Sequence, residues 1–307
     1  MYKSPVFLQK GQTVGLIAPA GKVPKSEIEK AIAIIESWGV NLKVGKYVYE
    51  QYFQFAGVDE HRLEDFQQML DDPGIAAILC ARGGYGTTRI IDSVDFSGFI
   101  SQPKWIAGYS DITALHCHLH ARSIQSIHSI MPITFANEDT TASVESLRKV
   151  LFGEPVIYET PNHPLNRPGL ATGPVIGGNL ALLASITGTG SDIDTTGKIL
   201  FIEDISEYLY NIDRMMIQLK RAGKLKKLSG LIIGHFTDIK DNEIPFGKNA
   251  LEVVLDAVQE YNYPVCFGFP VGHESSNFAI PCGRKAVLQV EPDLQSSLRF
   301  VEDTFVI

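Results

Sequence analysis

The chain has few cysteines and no long hydrophobic stretch. Its four cysteines, Cys80, Cys117, Cys266 and Cys282, include no C-x-x-C pair, so the sequence indicates neither a zinc site nor a redox motif. We expect free thiols in a reducing compartment. No apolar run reaches the length of a membrane-spanning helix, and the first residues lack the apolar stretch of a signal peptide. These absences predict a cytoplasmic protein with no membrane partner.

Positive charge is also scarce. The 27 Lys and Arg residues are outnumbered by 35 Asp and Glu residues, which gives a formal net charge of -8. An acidic surface repels phosphate backbones, and no basic run is present, so we expect no nucleic-acid partner. What the chain does have is 45% hydrophobic residues, enough for a globular core, and 307 residues, enough for two domains.

The first half of the chain alternates short apolar runs with amphipathic segments. Ser26 and Glu29 have the spacing of a capping box, which predicts a helix from there to Trp38. Strands are predicted at 13–20, 41–48, 75–81 and 104–108, and a second helix at 59–70. This order predicts a Rossmann-like parallel sheet with helices on both faces, whose ligands lie beyond the carboxyl ends of the strands.

A polar, turn-rich segment divides the chain near its middle. Residues 136–171 are predicted as a linker with room for a small helix. Beyond it, strands are predicted at 198–205 and 228–234, and helices at 180–186 and 213–222. We therefore predict an α/β protein with an N-terminal domain at 1–135 and a mixed α/β C-terminal domain at 172–307.

Ser110 lies where a predicted strand turns into a helix, in W-I-A-G-Y-S-D-I-T. A serine or aspartate there is favoured as a helix cap. Gly108, two residues earlier, matches the first half of the G-x-S-x-G motif that exposes a nucleophilic hydroxyl, but Ile112 replaces its second glycine. Both interpretations stay open on this stretch alone.

Two other motifs allow more than one interpretation. The glycines of R-G-G-Y-G, residues 82–86, suit a tight turn or backbone N–H groups that converge on an anion, but they match neither a P-loop nor a dinucleotide fingerprint. His116, His118 and His120 form H-C-H-L-H, and because His116 and His120 share a helix face, this pair is geometrically able to bind a metal ion. Because no carboxylate follows at a useful spacing, buried structural histidines are preferred and no metal is predicted.

Two residues of the second half have the chemistry to assist a nucleophile. Glu203 ends an apolar strand in F-I-E-D, where a carboxylate lies at the rim of the sheet or needs a partner. His273 lies in a loop of small and turn-forming residues, where a single histidine usually has no chemical role. Together with Ser110 they would supply an orienting acid, a base and a nucleophile.

Several motifs, taken in order over nearly the whole chain, resemble one known family. They are A-R-G-G-Y-G (81–86), G-Y-S-D-I-T (108–113), I-G-G-N-L (176–180), F-I-E-D (201–204), I-D-R-M (212–215), I-I-G-x-F (232–236) and G-H-x-x-x-N-x-x-x-P-x-G (272–283). The chain resembles the LD-carboxypeptidases, serine peptidases that trim cell-wall muropeptides, with microcin-immunity peptidases as a sister branch.

The resemblance implies a role for each matching residue. Ser110 would be the nucleophile, His273 the general base and then acid, and Glu203 the group that orients the imidazole. The backbone N–H groups of Gly84 and Asp111 would stabilise the oxyanion. The implied substrate is an L,D-configured murein tetrapeptide that loses its terminal D-alanine in cell-wall recycling, with no cofactor, and we expect a homodimer.

An exopeptidase must also recognise a free terminal carboxylate, which in an acidic chain calls for a local cation. Arg82 beside the glycine turn is the first candidate, and Arg214 is the second. The sequence departs from the family pattern at 128–131, where H-S-I-M replaces the frequent H-G-P-M, and at Glu274, a position that often has glycine. Both departures are expected to reshape the substrate pocket.

Two alternatives to the murein peptidase stay open. The sister branch hydrolyses peptide–nucleotide antibiotics, although the R-G-G-Y-G loop resembles the muropeptide branch better. A non-catalytic protein that holds a small ligand at its glycine turn is the alternative of a different class. Cleavage of a peptide distinguishes the enzymes from the binding protein.

Overall fold

The computed structural model describes residues 2–301, which form two β-sheets with helices packed against them. The strands, in chain order, are β1 (Thr13–Ile17), β2 (Asn41–Val44), β3 (Ile75–Cys80), β4 (Trp105–Gly108), β5 (Ser126–His128), β6 (Ile157–Thr160), β7 (Gly169–Asn179), β8 (Ile199–Ile205), β9 (Gly230–Thr237), β10 (Val265–Phe267), β11 (Ile280–Cys282), β12 (Lys285–Val290) and β13 (Ser296–Phe300). The α-helices are α1 (Lys25–Ser37), α2 (Asp59–Asp71), α3 (Thr87–Ile90), α4 (Ser97–Ser101), α5 (Thr113–Ala121), α6 (Thr141–Leu151), α7 (Leu180–Ser185), α8 (Leu209–Arg221) and α9 (Ala250–Val258). No helix among these residues is both long and apolar enough to span a membrane.

The first sheet confirms the predicted parallel architecture. Its order is β11-β5-β4-β3-β1-β2, and the pairs among β1 to β5 are all parallel. Successive side chains of a strand point to opposite faces. Leu16 accordingly packs in the cluster that contains α1, whereas Ile17 packs in the cluster that contains α2 and α5. Helices therefore cover both faces, as the alternating sequence pattern predicts.

The second sheet is mixed, as predicted for the C-terminal part. Strands β7 to β10 pair in parallel, and β12, β13 and β6 extend the sheet from β7 in antiparallel pairs. Helices α7, α8 and α9 cover one face through an apolar cluster that includes Leu200, Met216 and Val254. Parallel strands again bring several carboxyl ends, including that of β8, to one edge.

Several local predictions are wrong in detail, and strand β2 ends at Val44, not at residue 48. The capping box does not form, because α1 begins at Lys25 after the extended residue Pro24, and no side chain caps it. Ser26 therefore lies inside the first turn, where its hydroxyl is not placed as an N-cap. Helix α8 begins at Leu209, four residues before the predicted start at Asp213. The first turn of α8 carries buried Leu209 and Ile212, so tertiary packing extends the helix.

The two sheets share a core, and the chain returns from the second sheet to add one strand to the first. Ala107 and Ile127 of the first sheet belong to the same apolar cluster as Phe201 and Ile232 of the second. Strand β11, far along the chain, pairs antiparallel with β5 at the edge of the first sheet. Helix α6 and strand β6 lie within the predicted linker 136–171. The boundaries at residues 135 and 171 stay a prediction.

Four buried histidines predict that the protein is destabilised by mild acid. Burial lowers the pKa of His116 and His118 to about 4, and that of His120 and His128 to about 3. Below the ordinary pKa of about 6.5 the unfolded chain binds protons that the folded chain does not. The free energy of unfolding therefore decreases as the pH is lowered. Three carboxyls act oppositely, because burial raises the pKa of Asp204 to about 6 and also raises the pKa values of Asp65 and Asp111, but they stand against four histidines. We expect a marked loss of stability between about pH 6.5 and pH 4, measured by urea unfolding.

A matched variant checks the source of this pH dependence. In His118→Asn the amide oxygen takes the place of the ring Nδ1 that lies 2.8 Å from Ser191 Oγ, but the new side chain does not titrate. The slope of stability against pH should be shallower in this variant than in the wild type. An unchanged slope, or a flat profile in the wild type, would contradict the assignment.

Candidate active site

Ser110 has a strained backbone and a hydroxyl aimed at a histidine. It follows β4 by two residues, starts a short 3-10 turn that leads into α5, and has φ of +62°, a conformation that non-glycine residues rarely adopt. No side chain caps the turn or α5, so the helix-cap interpretation is wrong. The Oγ atom instead lies 3.0 Å from Nε2 of His273. Strain at such a turn is typical of a functional site.

His273 lies in the loop between β10 and β11 and is held from two directions. Its Nδ1 atom is 2.6 Å from Oε2 of Glu203, so the imidazole bridges the carboxylate and the serine hydroxyl. The ring of Tyr109 packs against it with 4.8 Å between the ring centroids. The side chain of His273 is 12% exposed, so the ring is largely removed from solvent while its Nε2 edge meets the hydroxyl.

Of the three carboxylates Glu203, Asp204 and Glu207, only Glu203 contacts the imidazole in the described structure. Its side chain has no exposed surface. Asp204 instead accepts hydrogen bonds from Asn179 Nδ2 and from the Ala181 and Ile205 N–H groups, and Glu207 accepts from Asn211. Alternation along β8 separates the two neighbouring carboxylates.

The residue before His273 must be a glycine. Gly272 has φ of +128°, and a Cβ atom there would lie 3.0 Å from Glu203 Cβ and 3.2 Å from its Oε2 atom. The absence of a side chain lets the backbone approach the carboxylate.

Burial, and secondly the nearby charge of Glu203, raises the pKa of Tyr109 to about 12, so the tyrosine over the imidazole stays neutral.

The glycine turn at 82–86 packs directly against Ser110. A Cβ atom on Gly83 would lie 3.0 Å from Ser110 Cβ, and Gly84 has φ of +100°. The carboxylate of Asp111, buried beside the serine, accepts a 2.8 Å hydrogen bond from the N–H of Thr87 just after the turn. Gly84 and Asp111 therefore lie on two backbone segments that meet at Ser110.

Arg62 supports this turn, and it was not among the predicted residues. Its side chain is fully buried, and Nη1 donates to the carbonyl oxygens of Pro19 at 2.5 Å and Gly86 at 3.0 Å. A Cβ atom on Gly86 would collide with that guanidinium. A signal existed in the sequence, since Arg62 shares the apolar face of α2 with Phe66 and Met69 at helical spacing.

Two clefts flank the serine. One, of about 460 Å³, is lined by Gly84 and Asp111 on one side and by Ala181 and Leu182 of α7 on the other. The second, of about 210 Å³, is lined by residues including Tyr109, Asp139, His273 and Glu274. Both departures from the family pattern contribute to this second cleft, which Glu274 and Ile130 of H-S-I-M line, whereas Ser129 is fully buried.

Among residues 2–301, neither predicted arginine forms a hydrogen bond or ion pair with Ser110, His273 or Glu203. Arg82 lies at the start of the glycine turn, where Nη1 donates to the Lys22 carbonyl at 2.8 Å. Arg214 is exposed on α8, with Nη1 3.3 Å from Asn211 Oδ1 and its guanidinium over the ring of Tyr210. Among residues 2–301, no recorded hydrogen bond or ion pair links Arg214 to Ser110 or His273.

The three histidines of α5 have separate partners. His116 Nε2 is 2.8 Å from the Gly108 carbonyl, His118 Nδ1 is 2.8 Å from Ser191 Oγ, and His120 Nε2 is 2.5 Å from the Tyr2 hydroxyl. Within the described residues, no three His, Cys, Asp or Glu side chains are grouped so as to hold a metal ion. The geometry places these imidazoles in structural hydrogen bonds.

The comparison with known families agrees with this arrangement. Residues 14–129 match the model of the LD-carboxypeptidase N-terminal domain, and residues 172–288 match that of the C-terminal domain. This chain belongs to the LD-carboxypeptidase family. The three hydrogen-bonded residues are distributed over both matched LD-carboxypeptidase segments, with Ser110 in the first and Glu203 and His273 in the second.

Individual LD-carboxypeptidase relatives match over nearly the whole chain. The probable murein peptide carboxypeptidase of Bacillus subtilis (strain 168) is 40% identical, over 92% of this chain and 91% of its own. The crystal structure of muramoyltetrapeptide carboxypeptidase from Oxalobacter formigenes has a TM-score of 0.86 and 28% identity, covering 95% of this chain and 99% of that chain. The microcin C7 self-immunity protein MccF of Escherichia coli is 26% identical over 92% of each chain.

Proposed function

We propose that this protein is a serine-type carboxypeptidase that releases the terminal D-alanine from an L,D-configured murein tetrapeptide. The observation that carries the proposal is the hydrogen-bonded series Ser110–His273–Glu203, with distances of 3.0 Å and 2.6 Å. The name of the Bacillus subtilis relative, a probable murein peptide carboxypeptidase, supports the substrate class. The direct experiment is incubation with the free tetrapeptide and mass measurement of the products.

The proposed mechanism gives each residue of the series one role. His273 Nε2 takes the proton of Ser110 as the Oγ atom attacks the scissile carbonyl, and later returns a proton to the leaving amine. Glu203 holds the imidazole by Nδ1 and stabilises the imidazolium that forms. Water then attacks the acyl-enzyme carbonyl and gives a proton to His273, which passes it to Ser110 Oγ as the ester bond breaks and the shortened peptide leaves as a carboxylate.

The backbone N–H groups of Gly84 and Asp111 are the proposed oxyanion donors. Asp111 follows Ser110 in the chain, and Gly84 follows Gly83, the residue of the glycine turn that packs against Ser110. One such donor contributes about 3 kcal/mol of transition-state stabilisation. Arg62 and the Asp111 carboxylate support the proposal, because Arg62 fixes the Gly86 carbonyl of the turn and Asp111 ties the segment that leads into α5 to Thr87 just after the turn.

The proposed site lies between two domains. The nucleophile would come from a domain at 1–135, and the base and its acid from a domain at 172–307, with 136–171 as the linker. Ser110 follows a strand of the first sheet, and Glu203 lies on a strand of the second. A cytoplasmic location and a homodimer remain predictions from the sequence.

Recognition of a free carboxyl terminus is expected to depend on Arg82 more than on Arg214. Arg82 adjoins Gly83, which contacts the serine, whereas the recorded contacts of Arg214 lie on its own helix. The wild type should cleave the tetrapeptide acid much faster than its C-terminal amide, and an all-L tetrapeptide hardly at all. In Arg82→Ala the preference for the acid should shrink more than cleavage itself, measured as the ratio of kcat/KM values.

Arg214→Ala provides the matched control, since it removes the same charge elsewhere and should keep the preference. Equal cleavage of acid and amide by the wild type would end the hypothesis of carboxylate recognition.

The similarity to the microcin self-immunity protein supports the second candidate, a peptide–nucleotide hydrolase. Cleavage of an acyl-sulfamoyl nucleotide without cleavage of the tetrapeptide would favour it. A protein that cleaves neither substrate would favour the ligand-binding alternative.

A further inference from the structure

We propose that His128 and Asn277 are positioning residues that hold the loop carrying His273 against the strand carrying Ser110. This inference rests on the proposed function, because it assigns His273 as the base. His128 ends β5, and Asn277 lies just before β11, the strand that pairs with β5 at the register Ile280 to His128. Neither contacts the hydroxyl or the carboxylate of the triad by a recorded hydrogen bond among residues 2–301.

Asn277 is the centre of the loop's hydrogen bonds. Its Oδ1 atom accepts from the Gly272 N–H at 3.0 Å, and its own N–H donates to Ser143 Oγ at 2.9 Å. Ser143 Oγ in turn donates to the Ser275 carbonyl at 2.7 Å. Asn277 is 1% exposed, so these bonds are shielded from water. The backbone on either side of His273 is therefore tied to one buried amide.

His128 connects this amide to the nucleophile strand. Its Nε2 atom lies 3.0 Å from the same Oδ1 atom, and because that oxygen only accepts, Nε2 must carry the proton. Strand β5 pairs with β4 at the register His128 to Gly108, two residues before the serine. The next N–H, that of Ser129, donates to the Gly108 carbonyl at 3.0 Å.

The histidine has no competing role as a base. Its proton on Nε2 is used by Asn277, and its Nδ1 atom is buried without a partner in the described structure. Burial lowers its pKa to about 3, so it stays neutral wherever a serine peptidase works. Phe201 and Tyr109 pack on its ring with centroid distances of 5.0 Å and 5.8 Å. What it offers is a rigid donor at a fixed place.

The position of the loop matters because the triad distances tolerate little movement. A displacement of about 1 Å at a reacting group can cost roughly 10²-fold in rate. Gly272 lies against Glu203 on one side and donates a hydrogen bond to Asn277 on the other. Because it directly precedes His273, its backbone fixes the position from which the imidazole side chain extends. Loss of the His128 donor leaves the Asn277 oxygen with one bond and removes the side-chain link between the loop and β5, so that only the backbone pairing of β5 with β11 still holds the loop there.

The test compares His128→Phe with His128→Gln. Phenylalanine keeps an aromatic ring but cannot donate, whereas the glutamine amide places an N–H close to the position of Nε2. In His128→Phe we expect kcat on the tetrapeptide to fall roughly 10²-fold with little change in KM, because binding groups are untouched. In His128→Gln most of kcat should return.

His120→Phe and His120→Gln are the matched controls. His120 is also buried and hydrogen-bonded through Nε2, but its partner is Tyr2. Both variants should keep kcat near the wild-type value. If His120→Phe lowers kcat as much as His128→Phe, or if the two His128 variants behave alike, the loss reflects general destabilisation and the positioning role is overturned.

A second measurement does not depend on any substrate. The proton between His273 Nδ1 and Glu203 should give a downfield proton NMR signal, identified by its disappearance in Glu203→Gln. We expect the signal to persist in His128→Gln and to broaden or vanish in His128→Phe. Should the wild type cleave no peptide, the proposed function fails, while this signal still decides the positioning role. A His128→Phe protein with an unchanged signal overturns it.

Discussion

Ser110→Ala protein is expected to lose nearly all turnover of the tetrapeptide while keeping its fold. The substitution removes the Oγ atom that lies 3.0 Å from His273 Nε2, and no other hydroxyl is recorded at that nitrogen in residues 2–301. Loss of a triad nucleophile costs roughly 10⁴- to 10⁶-fold in kcat. The lost hydrogen bond costs about 1 kcal/mol of stability. Mass spectrometry of the products and thermal unfolding together measure both effects.

Ser123→Ala is a suitable control for this prediction. Ser123 is also a serine with a left-handed backbone, at φ of +59°, but it is exposed in the turn after α5. The same substitution there changes the same atoms at a similar φ without an imidazole partner, so activity should stay at the wild-type level. Near-normal activity in Ser110→Ala would end the serine-peptidase hypothesis.

Glu203→Gln should reduce kcat strongly and change KM little. The substitution keeps the size of a side chain that has no exposed surface, but it removes the charge 2.6 Å from His273 Nδ1. An amide stabilises the imidazolium less, and it can present its N–H₂ group to Nδ1 and favour the wrong tautomer. A loss of roughly 10³- to 10⁴-fold in kcat is expected, measured by steady-state kinetics on the tetrapeptide.

Asp204→Asn provides the comparison on the same strand. Asp204 is the next carboxylate of β8, also buried, but it bonds to Asn179 and to the start of α7 and not to the imidazole. Its substitution should affect stability more than turnover. If Glu203→Gln keeps wild-type kcat, Glu203 is a structural carboxylate, and a larger kcat loss in Asp204→Asn would make Asp204 the orienting acid.

Much of the fold could be predicted because strand and helix periods are local properties of the chain. The run at 75–81 and the helix at 59–70 agree with β3 and α2 to within one residue at each end. Predictions were weaker where tertiary contacts decide, as at α8, which packing extends by a turn, and at α1, where Pro24 precedes the helix and no cap forms.

The residues of the candidate site could be predicted only in part from the sequence. Ser110, Glu203 and His273 were identified through motifs, and the structure brings their side chains into one hydrogen-bonded series. Arg62 could not be singled out from the sequence, because charged residues in a polar helix segment are usually exposed to solvent, although its spacing places it on the buried face of α2. Its role depends on two carbonyl groups, of Pro19 and Gly86, whose position no local pattern gives.

Residues close together in the chain are enough to establish the α/β class, the position of Ser110 at a strand end and the family motifs. Only long-range packing brings the hydroxyl to an imidazole 163 residues away and places Glu203, and not Asp204, at the other ring nitrogen. Strand register is the cause. The return of β11 to the first sheet and the pairing of β8 within the second set which side chains converge, and such long-range pairing depends on the packing of the whole core.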